Sequence, residues 1–188
     1  FVLTSMRGTG NRPVEEEGVS RSLSLEMDDV PWRNSLSLLT QRKAREAHNL
    51  QRLEAVLQEV EPDLLFIWGM WNLPRSLAWR AEELYQERVV YRFAEYWPTL
   101  PSQYTLYWQA EGRTLPTRLL RRLLRPLALA LGPDEQKRPV LHLRNMICVS
   151  EAVRQELIRR GIDATGARVI RTGLDMKPYV NGSLRAPG

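Results

Sequence analysis

Residues 148–175 read CVSEAVRQELIRRGIDATGARVIRTGLD. A short apolar run ends at Ser150, a charged helical pattern follows, and Gly161 stops it. A second apolar run begins near residue 168, and Gly173-Leu174-Asp175 turns the chain. Ser150 is a good N-cap, because a short side-chain oxygen accepts from an otherwise unpaired amide. Glu151 meets the positive end of the helix dipole. Glu156 and Arg160 lie four apart in the favourable order, and Gly161 supplies a left-handed cap. The stretch predicts a strand, a helix and a second strand.

The same alternation runs back through the chain. Residues 1–5 fit a buried strand and residues 7–13, with two glycines and a proline, a loop. Val19, Arg21, Leu23 and Leu25 alternate with Ser20, Ser22, Ser24 and Glu26, so a strand is expected with Arg21 the one misfit on its apolar face. From Leu36 to Val60 apolar residues recur at spacings of three and four, with one gap at Lys43, the stripe of a long helix. Asn34 or Ser35 can cap it, and Pro62 ends it. Residues 64–68 form a continuous apolar run, as expected of a parallel strand buried on both faces. A helix over 74–86, a strand over 89–93, an aromatic and proline-rich loop over 95–101 and a leucine-rich helix from 115 to 131 follow. Pro126 is expected to interfere with that last helix. Strands over 146–149 and 168–171 close the pattern. Alternating strands and helices imply a mostly parallel sheet with helices on both faces and right-handed crossovers.

Composition agrees with one sizeable domain. The chain has 188 residues, 43% hydrophobic and 26% charged, the balance of a globular protein with a real core. The net charge of +5 suits contact with phosphates, anionic lipids or acidic substrates. The one cysteine, Cys148, cannot form an internal disulfide and lies in an apolar run, which fits a buried thiol in a reducing compartment. No basic-then-apolar leader opens the chain, so no secretory signal is expected. The longest apolar run, 64–71, is well short of the ~18 residues of a spanning helix. His48 and His142 lack acidic or cysteine companions at ligand spacing, so no metal site is expected.

Taken together, the ordered stretches resemble the acceptor-side domain of family 4 glycosyltransferases. The strand ending in Val-Ser-Glu, the helix ending in Arg-Arg-Gly-Ile and the run RVIRTGLD are similar to the end of that domain. There the turn usually reads Asn-Gly-Val-Asp; here Thr172 and Leu174 replace the Asn and the Val. EPDLLFIWGMW and VVYRFAEYWPTLP resemble two further strand-and-loop segments of the family, and the likeness spans about residues 1–180.

The resemblance implies one Rossmann-like half of a GT-B fold over residues 1–180, with 181–188 beginning a linker. It implies a retaining transfer of sugar from a nucleotide-sugar donor to a sugar or lipid-linked acceptor. In the family a second domain holds the donor, so this chain alone is expected to be inactive. No cofactor is implied beyond the donor itself. A cytoplasmic location is expected, and contact with the inner face of a membrane is one of two readings of residues 118–125.

Many family members place a His-Asp pair where this chain has Ala94 and Glu95. Ala94 cannot replace an imidazole, but Glu95 keeps a carboxylate that can hydrogen-bond a sugar hydroxyl or stabilise developing positive charge. Glu95 is therefore the catalytic candidate. Tyr96, Trp97, Gly69, Ser150 and Gly173 are the substrate-binding candidates. For Trp97 the alternative is a core role, and for Gly69 simple packing.

A second reading rests on RLLRRLLR, residues 118–125. Arg118, Arg121, Arg122 and Arg125 share one helical face and leucines the other. Such a helix can lie on an anionic membrane, or its leucines can bury against the sheet while the arginines face water. On this alternative the chain is a non-catalytic α/β module docking a membrane or protein partner. Nucleic acid is not expected, since the arginines are not interleaved with exposed aromatics.

Overall fold

The computed structural model describes residues 1–10, 12–27, 35–112, 114–133 and 135–173. Its centre is a four-stranded, all-parallel sheet in the order β4 (Leu65–Trp68), β5 (Val89–Phe93), β6 (Asn145–Cys148) and β7 (Arg168–Val169). Tyr91 sits in register with Ile67 on one side and Met146 on the other. Strand-to-strand connections pass through helices that flank the sheet, as parallel pairing requires. The helix α2 (Arg75–Tyr85) follows β4 and packs on β4 and β5. The helix α5 (Glu151–Arg159) follows β6 and packs back onto it. Leu77, Ala78 and Ala81 of α2, Val89, Tyr91 and Phe93 of β5 and Leu157 of α5 are buried in one core.

The first strand and the helix of this unit form as the sequence predicts. Ser150 Oγ accepts from the Val153 amide at 3.2 Å, Arg160 Nε donates to Glu156 at 2.6 Å, and Gly161 takes φ 88°. The Ile162 amide reaches back to the Leu157 carbonyl at 3.0 Å, closing the helix end. The last strand is shorter than expected, two residues, and Leu174 and Asp175 lie outside the described residues. So does the cap suggested at Asn34.

A second, three-stranded sheet holds the N-terminal strands in the order β1 (Val2–Ser5), β3 (Val19–Leu23), β2 (Val14–Glu16). β1 and β3 are parallel; β2 is antiparallel to β3. Sequence reasoning missed β2, whose Val-Glu-Glu carries no apolar alternation. The long helix α1 (Ser35–Val60) packs on β3 and α2. On β3 the expected facing fails, for Ser20 and Ser22 are buried. Their hydroxyls share a 2.8 Å hydrogen bond, Ser20 donates to Glu15, and Arg52 of α1 donates to Ser22 at 3.0 Å. Satisfied in this way, small polar side chains lie inside without penalty.

Two further expectations are corrected. The 64–68 run is not buried on both faces: Leu65 and Ile67 pack on the core, while Phe66 and Trp68 are 51% and 65% exposed. β4 ends its sheet, and the other free edge facing it is β1. Between them lies a cavity of about 320 Å³ walled by Phe1 and Leu3 and by β4, with α1 and α2 beneath. Nor does Pro126 break the leucine-rich helix, α4, which runs Leu115–Leu131. Pro126 and Arg122, whose carbonyl it leaves without the usual donor, both sit on the exposed side, where that carbonyl is open to solvent. A short helix that sequence reasoning missed, α3 (Gln103–Gln109), pairs with α4.

Candidate functional site

In open α/β sheets the loops beyond the carboxyl ends of the strands gather ligands. Here those loops follow β4 and β5. The chain leaves β4 through Gly69, which takes φ 72° with nothing within 4 Å of a Cβ placed there. Gly69 is thus required by backbone conformation and not by packing. Met70, Trp71 and Asn72 come next, and Asn72 also has a left-handed φ, 59°.

Asn72 decides what lies opposite. Its amide donates to the Met27 carbonyl at 2.7 Å and accepts from the Met27 amide at 2.9 Å, while its own carbonyl accepts from the Glu26 amide at 2.9 Å. Asn49 of α1 makes the same two-way pairing with Ser24, at 2.8 and 2.7 Å. Both asparagines are buried. Two side-chain amides therefore hold residues 24–27 as a neighbouring strand would, and set Glu26 between the clamps.

Glu26 accepts from the Gln103 amide at 2.9 Å. Burial pushes its carboxyl up to about 7, against the pull of that amide and of Arg138. Across from it, Arg138 donates to the Leu100 carbonyl at 2.7 Å and pairs with Glu135. Glu135 also accepts from the Ser102 and Thr105 hydroxyls at 3.0 and 2.6 Å. Arg75 donates to the Pro98 carbonyl at 2.7 Å, and its buried Nε has no partner among the described residues. Desolvation lowers its pKa.

Glu26, Asn72, Arg75 and Arg138 line a cleft of about 40 Å³ together with Trp71, Glu95 and Trp97. That is room for a water, too little for a sugar ring. A larger ligand would lie across the mouth, where Glu95 is exposed and Trp71 is 42% exposed. Trp97 does pack as core: its ring lies 6.3 Å from Tyr91 and 6.0 Å from Phe93, although part of it stays in reach of the cleft. Tyr96 is covered on one face by Arg160, 4.9 Å from its centroid.

The structure thus brings Gly69, Glu95 and Trp97 to one end of the sheet. Ser150 and Gly173 do not line that cleft, and the Ser150 hydroxyl is committed to capping. Thr172 accepts from Arg92 at 2.7 Å, and Arg92 stacks on Trp68 at 4.7 Å. Glu26, Asn72, Arg75 and Arg138 were not singled out from sequence. The alternation places Glu26 on the solvent side of a strand, and only the distant asparagines turn it inward. Among the described residues no three His, Cys, Asp or Glu side chains gather as a metal site would need, and no helix is long and apolar enough to cross a membrane.

No protein-family model, curated protein or solved structure matches the chain. The fold and its cleft define an α/β domain with Rossmann-like parallel topology.

Proposed function

We propose that this chain is the acceptor-side domain of a retaining glycosyltransferase, working in the cytoplasm with a nucleotide-sugar donor held by a second domain. The observation that carries the reading is the convergence, beyond β4 and β5, of two carboxyl groups, Glu26 and Glu95, with Arg75 and Arg138 and an exposed indole, Trp71. Sugars are held by that combination: carboxylates and guanidinium groups for hydroxyls, aromatic faces for the C–H side of the ring. In this reading Glu95 accepts a hydrogen bond from the acceptor hydroxyl and stabilises the positive charge that grows at the reacting carbon. Glu26, with its pKa near neutrality, holds a proton that it can share with a second hydroxyl. The exposed part of Trp71, whose ring Arg7 covers on one face at 5.2 Å, forms the platform.

The test is titration of the protein with methyl glycosides and with uridine-diphosphate sugars, followed by backbone and indole NMR shifts. Binding of a glycoside that shifts Trp71 and residues 95–97, lost in Glu95→Gln, is expected, with no turnover of the nucleotide sugars. Shifts confined to other surfaces, or hydrolysis or transfer of a nucleotide sugar by this chain alone, would overturn the proposal.

A further inference from the structure

The leucine-rich helix is held by only one of its sides. Ala128 is buried with Tyr104 and Trp108 of α3, Leu124 and Leu129 pack against them, and the Tyr104 hydroxyl donates to the Ala128 carbonyl at 2.9 Å. Leu119 and Leu123, by contrast, are 63% and 67% exposed, and Leu115, Leu120 and Leu127 are exposed beside them. The leucines therefore do not bury against the sheet. The helical positions of these five form one continuous stripe along α4.

The four arginines divide. Arg121 is structural: it stacks on Tyr107 at 4.0 Å and donates to the Ala110 carbonyl at 3.1 Å. Arg118, Arg122 and Arg125 are exposed, and no acidic side chain among the described residues pairs with them. They border a cleft of about 570 Å³ between α4 and the 109–112 segment. The indole Nε1 of Trp108, a buried residue that also lines this cleft, has no partner among the described residues.

We propose that α4 and this cleft form a docking face for an anionic bilayer. The leucine stripe enters the acyl boundary, and Arg118, Arg122 and Arg125 meet headgroup phosphates at its flank. Charge complementarity selects the bilayer. Three cations without an acidic partner among the described residues lie along the border of the apolar stripe and not within it. That matches the order of acyl chain and phosphate. A nucleic acid would leave the leucines in water, and a protein groove would leave the arginines without a matching layer of negative charge. The inference is independent of the sugar-binding reading and stands or falls separately from it.

The experiment is flotation of the protein with vesicles of phosphatidylcholine alone and of phosphatidylcholine mixed with phosphatidylglycerol, at low and high salt. Binding to the anionic vesicles at least about tenfold above the neutral ones, weakened by salt, is expected. Leu119→Ser with Leu123→Ser should reduce it at least about tenfold, and Arg118→Gln, Arg122→Gln and Arg125→Gln combined about a hundredfold. All five side chains are exposed, so the variants should fold, as circular dichroism will verify. As a measurement that removes no contact, the indole introduced by Leu120→Trp should be quenched by brominated acyl chains. Equal binding to neutral vesicles, no flotation, or an introduced indole that stays unquenched would overturn the proposal. It would also fall if the leucine variants altered only self-association, or if a duplex DNA bound at the same salt while vesicles did not.

Discussion

Asn72 shows how much one side chain decides. Its left-handed backbone suits asparagine better than almost any residue but glycine, and its amide closes both backbone groups of Met27. Asn72→Ala removes both bonds and leaves two polar groups without partners. A loss of about 2 kcal/mol is expected in chemical denaturation, together with a fall of the Glu26 pKa toward the ordinary carboxylate range as residues 24–27 loosen. An unchanged Glu26 titration in that variant would mean the clamp does not hold the carboxyl in place. Glu26 itself makes a prediction of opposite sign to most acids. Its folded pKa of about 7 lies above its unfolded value of 4.5, so the native state binds the extra proton between those limits. Stability contributed by the protonated carboxyl is complete below pH 4.5 and is lost as pH rises through 7. Glu26→Gln keeps an acceptor for the Gln103 amide and cannot ionise. The wild type should therefore weaken relative to the variant across that window, by about 3 kcal/mol at about pH 8. Parallel pH profiles in denaturant titrations would refute the shift.

At the scale of elements, Glu82 does for the 140–144 segment what the asparagines do for 24–27. Buried on α2, it accepts from the His142 and Leu143 amides, both at 2.8 Å, just before β6 begins, where Leu143 adopts φ 50°. Glu82→Ala is expected to cost about 2–3 kcal/mol and Glu82→Gln less, because the amide can still accept from one donor. Hydrogen exchange should speed first at residues 142–148; uniform acceleration would show that the carboxylate only supports the global fold. Neither Glu82 nor Glu26 was legible in the sequence, and for the same reason. A buried carboxylate in a helix or strand pattern looks like a solvated one until its partners, some sixty or more residues distant, are known. The sheet was legible because its signals are local: Val89–Phe93 between turn residues, and the cap, ion pair and glycine of α5. Local signals failed where side chains satisfied one another across elements, as Ser20 and Ser22 do with Arg52. The strand β2 offered no apolar period to read. The loops that carry Gly69 and Glu95 lie at the sheet's end as their sequence indicates, but the cleft they border depends on Asn72 and Asn49.

For the whole molecule, the two sheets meet over a gap. β1 and β4 each end their sheet, so each presents a row of backbone donors and acceptors without a strand beside it. The lining is apolar along its length, from Leu3 through Leu57 of α1 to Leu77 of α2, and Phe66 and Trp68 extend that surface outward. Edge strands in globular proteins are usually guarded by charge, proline or a covering helix, and β4 has none of these within its four residues. The exposed edge should therefore drive concentration-dependent association by strand pairing. Sedimentation velocity over a dilution series is expected to show larger species that vanish in Phe66→Lys, since a lysine on an edge strand resists pairing without disturbing Leu65 and Ile67 in the core. Thioflavin fluorescence of the associated material should fall in parallel. A wild-type protein that stays a monomer as concentration rises would mean that the gap closes on itself in solution, with Phe1 and Leu3 moving onto β4.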